Sequence, residues 1–237
     1  MNYCTAFACR DLLHEYASKT KNVRDNVLRA MGKILELGED YFISQIGEKA
    51  PEIARFYYYP PCPRPELVFG IKPHSDGGAV TILLVDNDVG GLQVQKDGIW
   101  YTVPSKPHTL VINLGDSMEV GILDSVLLLL TETERDMIMH MRVPKCSAEF
   151  DCEILTQIMN NGIFKSPVHR VVTNADKERL SLAMFYGVEG QKVLEPAAGL
   201  LGEERPARYR KIKAADYIVG LRQGIAKGQR FIDTLKI

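Results

Sequence analysis

Ile71-Lys72-Pro73-His74-Ser75-Asp76-Gly77-Gly78-Ala79-Val80-Thr81-Ile82-Leu83-Leu84-Val85 carries a His-x-Asp pair and runs straight into an apolar segment of strand length. In extended backbone alternate side chains share a face, so His74 and Asp76 are expected to point the same way. A second cluster, Ser166-Pro167-Val168-His169-Arg170-Val171-Val172, lies far along the chain, and Arg179-Leu180-Ser181 begins ten residues beyond its histidine. One more imidazole brought in from a distant strand would set two imidazoles and one carboxylate on one side of a metal. Such a set leaves coordination positions open and suits non-haem iron(II) that must also bind oxygen and an organic co-substrate.

Around these clusters the chain is a succession of short β-like runs punctuated by Pro, Gly and Asp. Residues 55–59 are aromatic and strand-like, and Pro60-Pro61-Cys62-Pro63 ends them. Runs at 70–74 and 79–85 follow, then a polar turn at 86–88. Residues 91–95 alternate, Lys96-Asp97-Gly98 turns the chain, and 99–103 returns as the second arm of a hairpin. Residues 109–114 form a buried-looking strand closed by Gly115-Asp116, and further strands are expected at 168–173 and 180–186. Many short strands at regular spacing point to an antiparallel sandwich or jelly roll with helices packed outside it, an α+β and mainly β fold.

The helices flank this core. Over residues 11–37, Leu12, Tyr16, Val23, Val27, Met31 and Ile34 recur at helical spacing and line one face, with Gly38 as the stop. Glu39-Asp40 then open a short second helix through Tyr41-Phe42-Ile43. These helices are expected to cover a sheet. Residues 214–231 carry a looser helical pattern and are expected to add another outer helix.

Bulk properties narrow the class. The 237 residues, 46% hydrophobic and 25% charged, suffice for one large domain with a proper core. A formal net charge of −1 gives no broad electrostatic reason to bind nucleic acid or an anionic membrane surface. The five cysteines (Cys4, Cys9, Cys62, Cys146, Cys152) form no CxxC pair, so neither a disulfide framework nor a structural zinc is expected. With no signal-peptide pattern and no apolar run long enough to span a bilayer, a cytoplasmic protein is expected.

Arg179, Ser181, Ala183 and Phe185 alternate along one run and are expected to project to one side. An arginine inside a barrel needs an anionic partner, because an unpaired buried charge is costly. No dedicated internal acid is evident, so a carboxylate ligand is attractive. Guanidinium grips carboxylate through two parallel hydrogen bonds, and a neighbouring hydroxyl can add a third.

Tyr59-Pro60-Pro61-Cys62-Pro63, His74-Ser75-Asp76, Gly90-Gly91-Leu92-Gln93-Val94, Asn113-Leu114-Gly115-Asp116, His169-Arg170-Val171-Val172 and Arg179-Leu180-Ser181 occur in one order. Together they resemble the plant 2-oxoglutarate- and iron(II)-dependent dioxygenases, the group containing anthocyanidin synthase, flavonol synthase and the alkaloid O-demethylases. The resemblance implies a double-stranded β-helix with His74, Asp76 and His169 as iron ligands. It implies that Arg179 and Ser181 hold the distal carboxylate of 2-oxoglutarate, with Tyr59 as a further donor. Phe185 matches a position that can stack on an aromatic substrate, and an ordinary core role fits it equally. His14, His108 and His140 match no motif position. The implied reaction consumes O2 and 2-oxoglutarate, forms succinate and CO2, and hydroxylates, desaturates or O-demethylates a small aromatic or hormone-like substrate. Ascorbate is the implied supporting reductant, and neither nucleic acid nor membrane is an implied partner.

Three departures from the family accompany this likeness. The chain begins almost at the long helix, without the substantial N-terminal lobe of the family, which is expected to expose sheet edges and apolar surface. Tyr57 stands where many relatives carry Asn. Finally, His169 lies 93 positions after Asp76, and removing residues 120–157 joins 115–119 to 158–162 as unbroken family sequence. The segment opens on Val120, whose codons begin GT, and closes on Gln157, whose codon can be CAG, the usual edges of an intron. Residues 120–157 are therefore expected to be a retained intron translated in frame or a surface insertion, within a single dioxygenase domain spanning 1–237. Its apolar run at 126–130 is expected to form a helix. The competing readings are an inactive remnant that at most binds metal or a partner, and a zinc hydrolase. The hydrolase is disfavoured by Arg179-x-Ser181 and by the lack of an evident general base.

Overall fold

The computed structural model describes residues 6–86, 88–118, 128–130, 159 and 166–237. In chain order these contain helix α1 (Ala6–Ile34), helix α2 (Tyr41–Ile46), strands β1 (Glu52–Tyr59), β2 (Phe69–His74), β3 (Val80–Val85), β4 (Leu92–Lys96), β5 (Ile99–Thr102), β6 (Leu110–Leu114), β7 (Leu128–Leu130), β8 (His169–Val172), β9 (Arg179–Tyr186), β10 (Val193–Leu194) and β11 (Ile212–Lys213), and helix α3 (Ala214–Lys227). A five-stranded sheet, ordered β1-β9-β3-β6-β7, faces a four-stranded one, ordered β2-β8-β4-β5. Every pairing is antiparallel. This is the jelly roll that the strand spacing predicts.

Strand alternation divides the interior into two cores. From β3, Val80 and Ile82 join Leu110, Ile112 and Leu114 of β6 and Met184 and Tyr186 of β9 beneath the helices. The intervening residues, Leu83, Val85, Val111 and Ala183, turn the other way and meet Leu92, Val94 and Val171 between the two sheets. The second core carries the site chemistry, and the first fixes the large sheet against α1 and α3.

Helix α1 differs from its predicted extent and stripe. It begins at Ala6, stops at Ile34, and reverses through Leu35–Gly38, where Glu36 and Gly38 take positive φ values of 56° and 95°. Leu12 and Ile34 stay 64% and 44% exposed, and the buried stripe is Thr20, Arg24, Val27, Leu28 and Met31. The predicted period is right, but the buried positions fall between Thr20 and Gly32. Arg24 is accommodated in this stripe by ion pairs to Asp25 at 2.5 Å and Glu52 at 3.5 Å.

Two further elements correct the sequence reading. Of the apolar run at 126–130, Leu128–Leu130 is an edge strand on β6 and not a helix, with Leu110 opposite Leu130. Three consecutive leucines have no period that separates helix from strand, and an open sheet edge supplies the backbone partners. The rest of 120–157 lies outside the described residues. At the C-terminus the helix stops at Lys227 on the left-handed Gly228, and residues Phe231–Leu235 fold back as a short 3-10 turn. Phe231 packs so closely on Gly220 that any Cβ there would collide with its ring.

Phe56, Tyr58, Leu84 and Leu180 remain exposed on the outer face of the large sheet. Among the described residues no helix is long and apolar enough to cross a membrane.

Candidate metal centre

Strands β2 and β8 run antiparallel with His74 directly opposite His169, and Val94 of β4 pairs with His169 on its other side. Register shifts in β2 between Phe69 and Ile71 and again before His74 bend the strand as it reaches the histidine, the usual way a sheet re-aims a side chain. The two imidazoles lie 4.3 Å apart between centroids, tilted by 52°. Asp76 Oδ1 is 3.7 Å from His74 Nε2 and 3.8 Å from His169 Nε2. One ligand atom from each of the three residues lies within 4.8 Å of the other two, the spacing of donors arranged around one ion. Asp76 and His169 are buried and His74 nearly so.

Asp76 reaches this position differently from the strand-alternation argument. Strand β2 ends at His74, and Asp76 sits in the turn that follows. Its carboxylate faces the imidazoles because the turn is held from behind by the segment after β6, where the Asp116 N–H donates to the Asp76 carbonyl at 2.6 Å.

Both histidines are oriented by their own backbone. His74 Nδ1 lies 2.8 Å from the Lys72 carbonyl and His169 Nδ1 lies 2.9 Å from the Pro167 carbonyl. A carbonyl only accepts, so each Nδ1 carries the proton and each Nε2 presents its lone pair towards Asp76. Burial, with the neighbouring His169 second, pushes the His74 pKa below the ordinary imidazole value, and Asp76 opposes the shift only in part. The neutral imidazole, which is the metal-binding form, is thereby favoured. Asp76 Oδ2 is buried without a hydrogen-bond partner. An orphaned carboxylate oxygen beside two inward lone pairs fits a divalent cation.

A second polar group occupies the same space between the sheets. Arg179, 3% exposed, begins β9 opposite Tyr59, and Ser181 follows opposite Tyr57. Arg179 and Ser181 both act on the Tyr59 hydroxyl, pulling its pKa down against burial, and the guanidinium carbon sits 5.2 Å from the Tyr59 ring centroid. Burial lowers the Arg179 pKa, while Tyr59 and, more weakly, Asp86 counter it. Burial likewise raises that of Tyr59. The Arg179 Nε and Nη1 have no hydrogen-bond partner. A buried guanidinium with donors to spare and hydroxyls at its side suits a carboxylate. Gly91, at φ 146°, lets this side chain through: a Cβ there would collide with the Val172 carbonyl and touch the Arg179 stem.

The remaining predicted positions divide clearly. Phe185 is half-buried beside the inter-sheet core, with the Arg55 guanidinium 5.4 Å from its ring. Tyr57 stacks on Tyr59 at 6.1 Å, so the residue that departs from the family lines the same wall. His14 and His108 are exposed and do not belong to the cluster, and His140 lies outside the described residues. Sequence reasoning missed Thr81 and Asn113, whose inward side chains are buried with Oγ1 and Oδ1 unpartnered. It also gave no role to Asp116, which it read as the end of a strand and as part of a family motif. The signal was a polar residue interrupting an apolar strand, or an acid closing one.

Residues 51–188 match the model of the 2OG-Fe(II) oxygenase superfamily. Among curated relatives, the chain is 32% identical over 228 residues to oxoglutarate-dependent flavonoid 7-O-demethylase 1 of Ocimum basilicum, covering 96% of this chain and 51% of that protein. It is 31% identical over 228 residues to codeine O-demethylase of Papaver somniferum, covering 96% and 53%. The chain thus spans about half the length of the curated relatives it matches. Among solved structures, the crystal structure of JOX2 in complex with 2OG, Fe and JA superposes with a TM-score of 0.71 at 33% identity, covering 90% of this chain and 52% of that one.

Proposed function

Because this chain belongs to the 2OG-Fe(II) oxygenase superfamily, we propose that it is an oxidoreductase in which His74, Asp76 and His169 hold iron(II) and Arg179, Ser181 and Tyr59 hold 2-oxoglutarate. The observation that carries this reading is the approach of the three ligand atoms to within 4.8 Å of one another, in the same inter-sheet space as an arginine with unsatisfied donors.

When bound, iron and 2-oxoglutarate supply the oxidising chemistry, coupling decarboxylation to succinate and CO2 with oxidation of a substrate C–H bond by O2. The chain's own residues bind, orient and shield. His74 and His169 offer Nε2 lone pairs fixed by their Nδ1–H bonds, and Asp76 supplies the negative charge that partly neutralises the cation. Arg179 grips the far carboxylate of the co-substrate, Tyr59 and Ser181 add hydrogen bonds, and this fixes which end faces the metal. The apolar walls from Val85, Val94, Val111 and Val171 keep water away from the reacting atoms.

The substrate in this reading is a small molecule with an apolar or aromatic face, oxidised by hydroxylation, desaturation or O-demethylation. The half-buried aromatic rings of Tyr57 and Phe185 and the demethylase names of two relatives support that class. The chain is read as one such domain, with 120–157 as an insertion.

The test is iron(II)-dependent conversion of 2-oxoglutarate to succinate by the purified chain, followed with and without candidate aromatic substrates. Turnover that disappears in His169→Ala is the expected result. A folded, soluble chain that neither binds metal nor forms succinate overturns the proposal.

A further inference from the structure

Asp116 follows β6 and is 0% exposed. Its Oδ2 accepts hydrogen bonds from the Tyr217 hydroxyl at 2.7 Å and the Ser75 hydroxyl at 3.0 Å. Ser166 also favours the charged carboxylate, and the Arg230 guanidinium stands 4.0 Å from Oδ1. These groups come from four separated parts of the chain. Ser75 sits between His74 and Asp76, Ser166 precedes His169 by three residues, Tyr217 belongs to α3, and Arg230 follows that helix.

The backbone around Asp116 makes the same connection. The carbonyls of Asp76, Gly77, Gly78 and Ala79 accept in turn from Asp116 N–H at 2.6 Å, Ser117 Oγ at 2.8 Å, Ser117 N–H at 3.1 Å and Gly115 N–H at 2.9 Å. A Cβ on Gly115 would collide with the Gly78 carbonyl, so the two segments meet through bare backbone. Four successive carbonyls are thus read by three residues, and the side chain of the middle one reaches back to Ser75.

Burying a carboxylate is costly, and burial does push the Asp116 pKa upward against the pull of Arg230 and its hydroxyl partners. For stability alone, well-packed apolar residues commonly do as well as a buried ionic group. What a carboxylate does here that an apolar residue cannot is to accept from several segments at one point.

We propose that Asp116 is a positioning residue for the metal centre, tying the turn that carries Asp76 to one buried anchor braced by Tyr217 and Arg230. The inference rests on the metal-centre reading above. Its physical content is preorganisation: with the turn already held, less conformational freedom is lost when an ion binds.

Cobalt(II) titration of the 237-residue chain, read by calorimetry and visible absorption, tests it alongside thermal unfolding of the metal-free protein. Asp116→Asn keeps the shape but alters the donor and acceptor pattern. It is expected to raise the Co(II) dissociation constant about 10–100-fold, the usual effect of losing a group that orients a ligand. Tyr217→Phe removes one bond to the anchor and leaves the turn untouched, so a weakening of about 3–10-fold is expected. Either variant binding Co(II) like the wild type, whatever its melting temperature, reduces Asp116 to a stabilising role and overturns the inference. Should Asp116→Asn fail to fold, Tyr217→Phe decides by the same criterion. His169→Ala separates the two claims. If the wild type binds no Co(II), or His169→Ala binds it equally well, the metal-centre reading itself falls and the positioning role with it. If His169→Ala abolishes binding while Asp116→Asn does not change it, only the positioning role falls.

Discussion

His74 and His169 are direct cross-strand neighbours although 95 positions separate them in the chain, and their rings lie 4.3 Å apart. Each ring is pinned through Nδ1 to a carbonyl two residues before it. Two independent strands therefore deliver the same local device to one point, and the sheet register alone decides that the lone pairs face each other across Asp76. A shift of β8 by one residue would carry His169 to the opposite face of the sheet.

Arg179 is the residue whose removal should separate co-substrate binding from metal binding. Arg179→Ala is expected to weaken 2-oxoglutarate binding by about 2–5 kcal/mol, because it removes the partner of a buried carboxylate. Co(II) affinity should stay within about threefold, less than the change seen when a group that orients a ligand is lost. In the ligand-free chain, Arg179→Met should be neutral or stabilising by on the order of 1 kcal/mol, since it removes a buried charge with two unsatisfied nitrogens. Calorimetry with each ligand and thermal melts measure all three; unchanged 2-oxoglutarate affinity would take Arg179 out of the site.

Acid should destabilise the metal-free fold through His74. Its folded pKa is depressed below 6.5, chiefly by burial, so at pH values between the two the unfolded chain binds more protons than the folded one. Stability therefore rises with pH across that window. It is fully present above the unfolded value and lost as pH falls through the folded one. Melting temperatures from pH 7.5 down to 5 should decline, and His74→Gln should flatten the decline. An equally steep profile in that variant assigns the pH response elsewhere.

The two-core architecture predicts a sharp contrast between two strands of the large sheet. Ile82 is fully buried beneath the helices, so Ile82→Ala should cost about 2–5 kcal/mol in unfolding free energy. Phe56, 66% exposed on β1, should tolerate Ala within about 0.5 kcal/mol. Denaturant titration of both variants measures the difference, and comparable losses would mean that the outer face of β1 is covered in solution.

We further propose that 120–157 is translated intron. Sequencing transcripts from the source tissue should then find a dominant message without those codons, whereas a dominant message containing them would sink the idea. Removing the segment also removes β7 and leaves the β6 edge unpaired, so the shorter chain tests directly whether the jelly roll needs that strand. Retained Co(II) binding and cooperative melting are expected, because the three ligand residues and their anchors lie outside it.

Much of this molecule was legible in its residues. The alternation of apolar and polar side chains, the Pro and Gly punctuation and the Asp97-Gly98 turn, with φ values of 50° and 79°, announce short antiparallel strands, since these are local preferences of the backbone. The order of the motifs also named the three candidate ligands and the arginine, because each motif is a short string whose chemistry needs no neighbours. What the residues did not announce was how Asp76 comes to face the histidines. That depended on a turn gripped by Gly115-Asp116-Ser117 from another strand, on a left-handed Gly91 yielding space to Arg179, and on a register placing His169 opposite His74.

The stripe on α1 and the leucine run at 126–130 were misread for a related reason. A helical period says that one face is apolar, not which turns find a sheet beneath them, and a run of leucines takes whichever backbone partner is near. The sequence by itself determined the alphabet of short strands, the three candidate metal ligands and the charge proposed to meet an anion. Only the tertiary structure decided their convergence and the buried Asp116 anchor. Distances between remote side chains are set by sheet register and by backbone hydrogen bonds between distant segments, and no local preference encodes those.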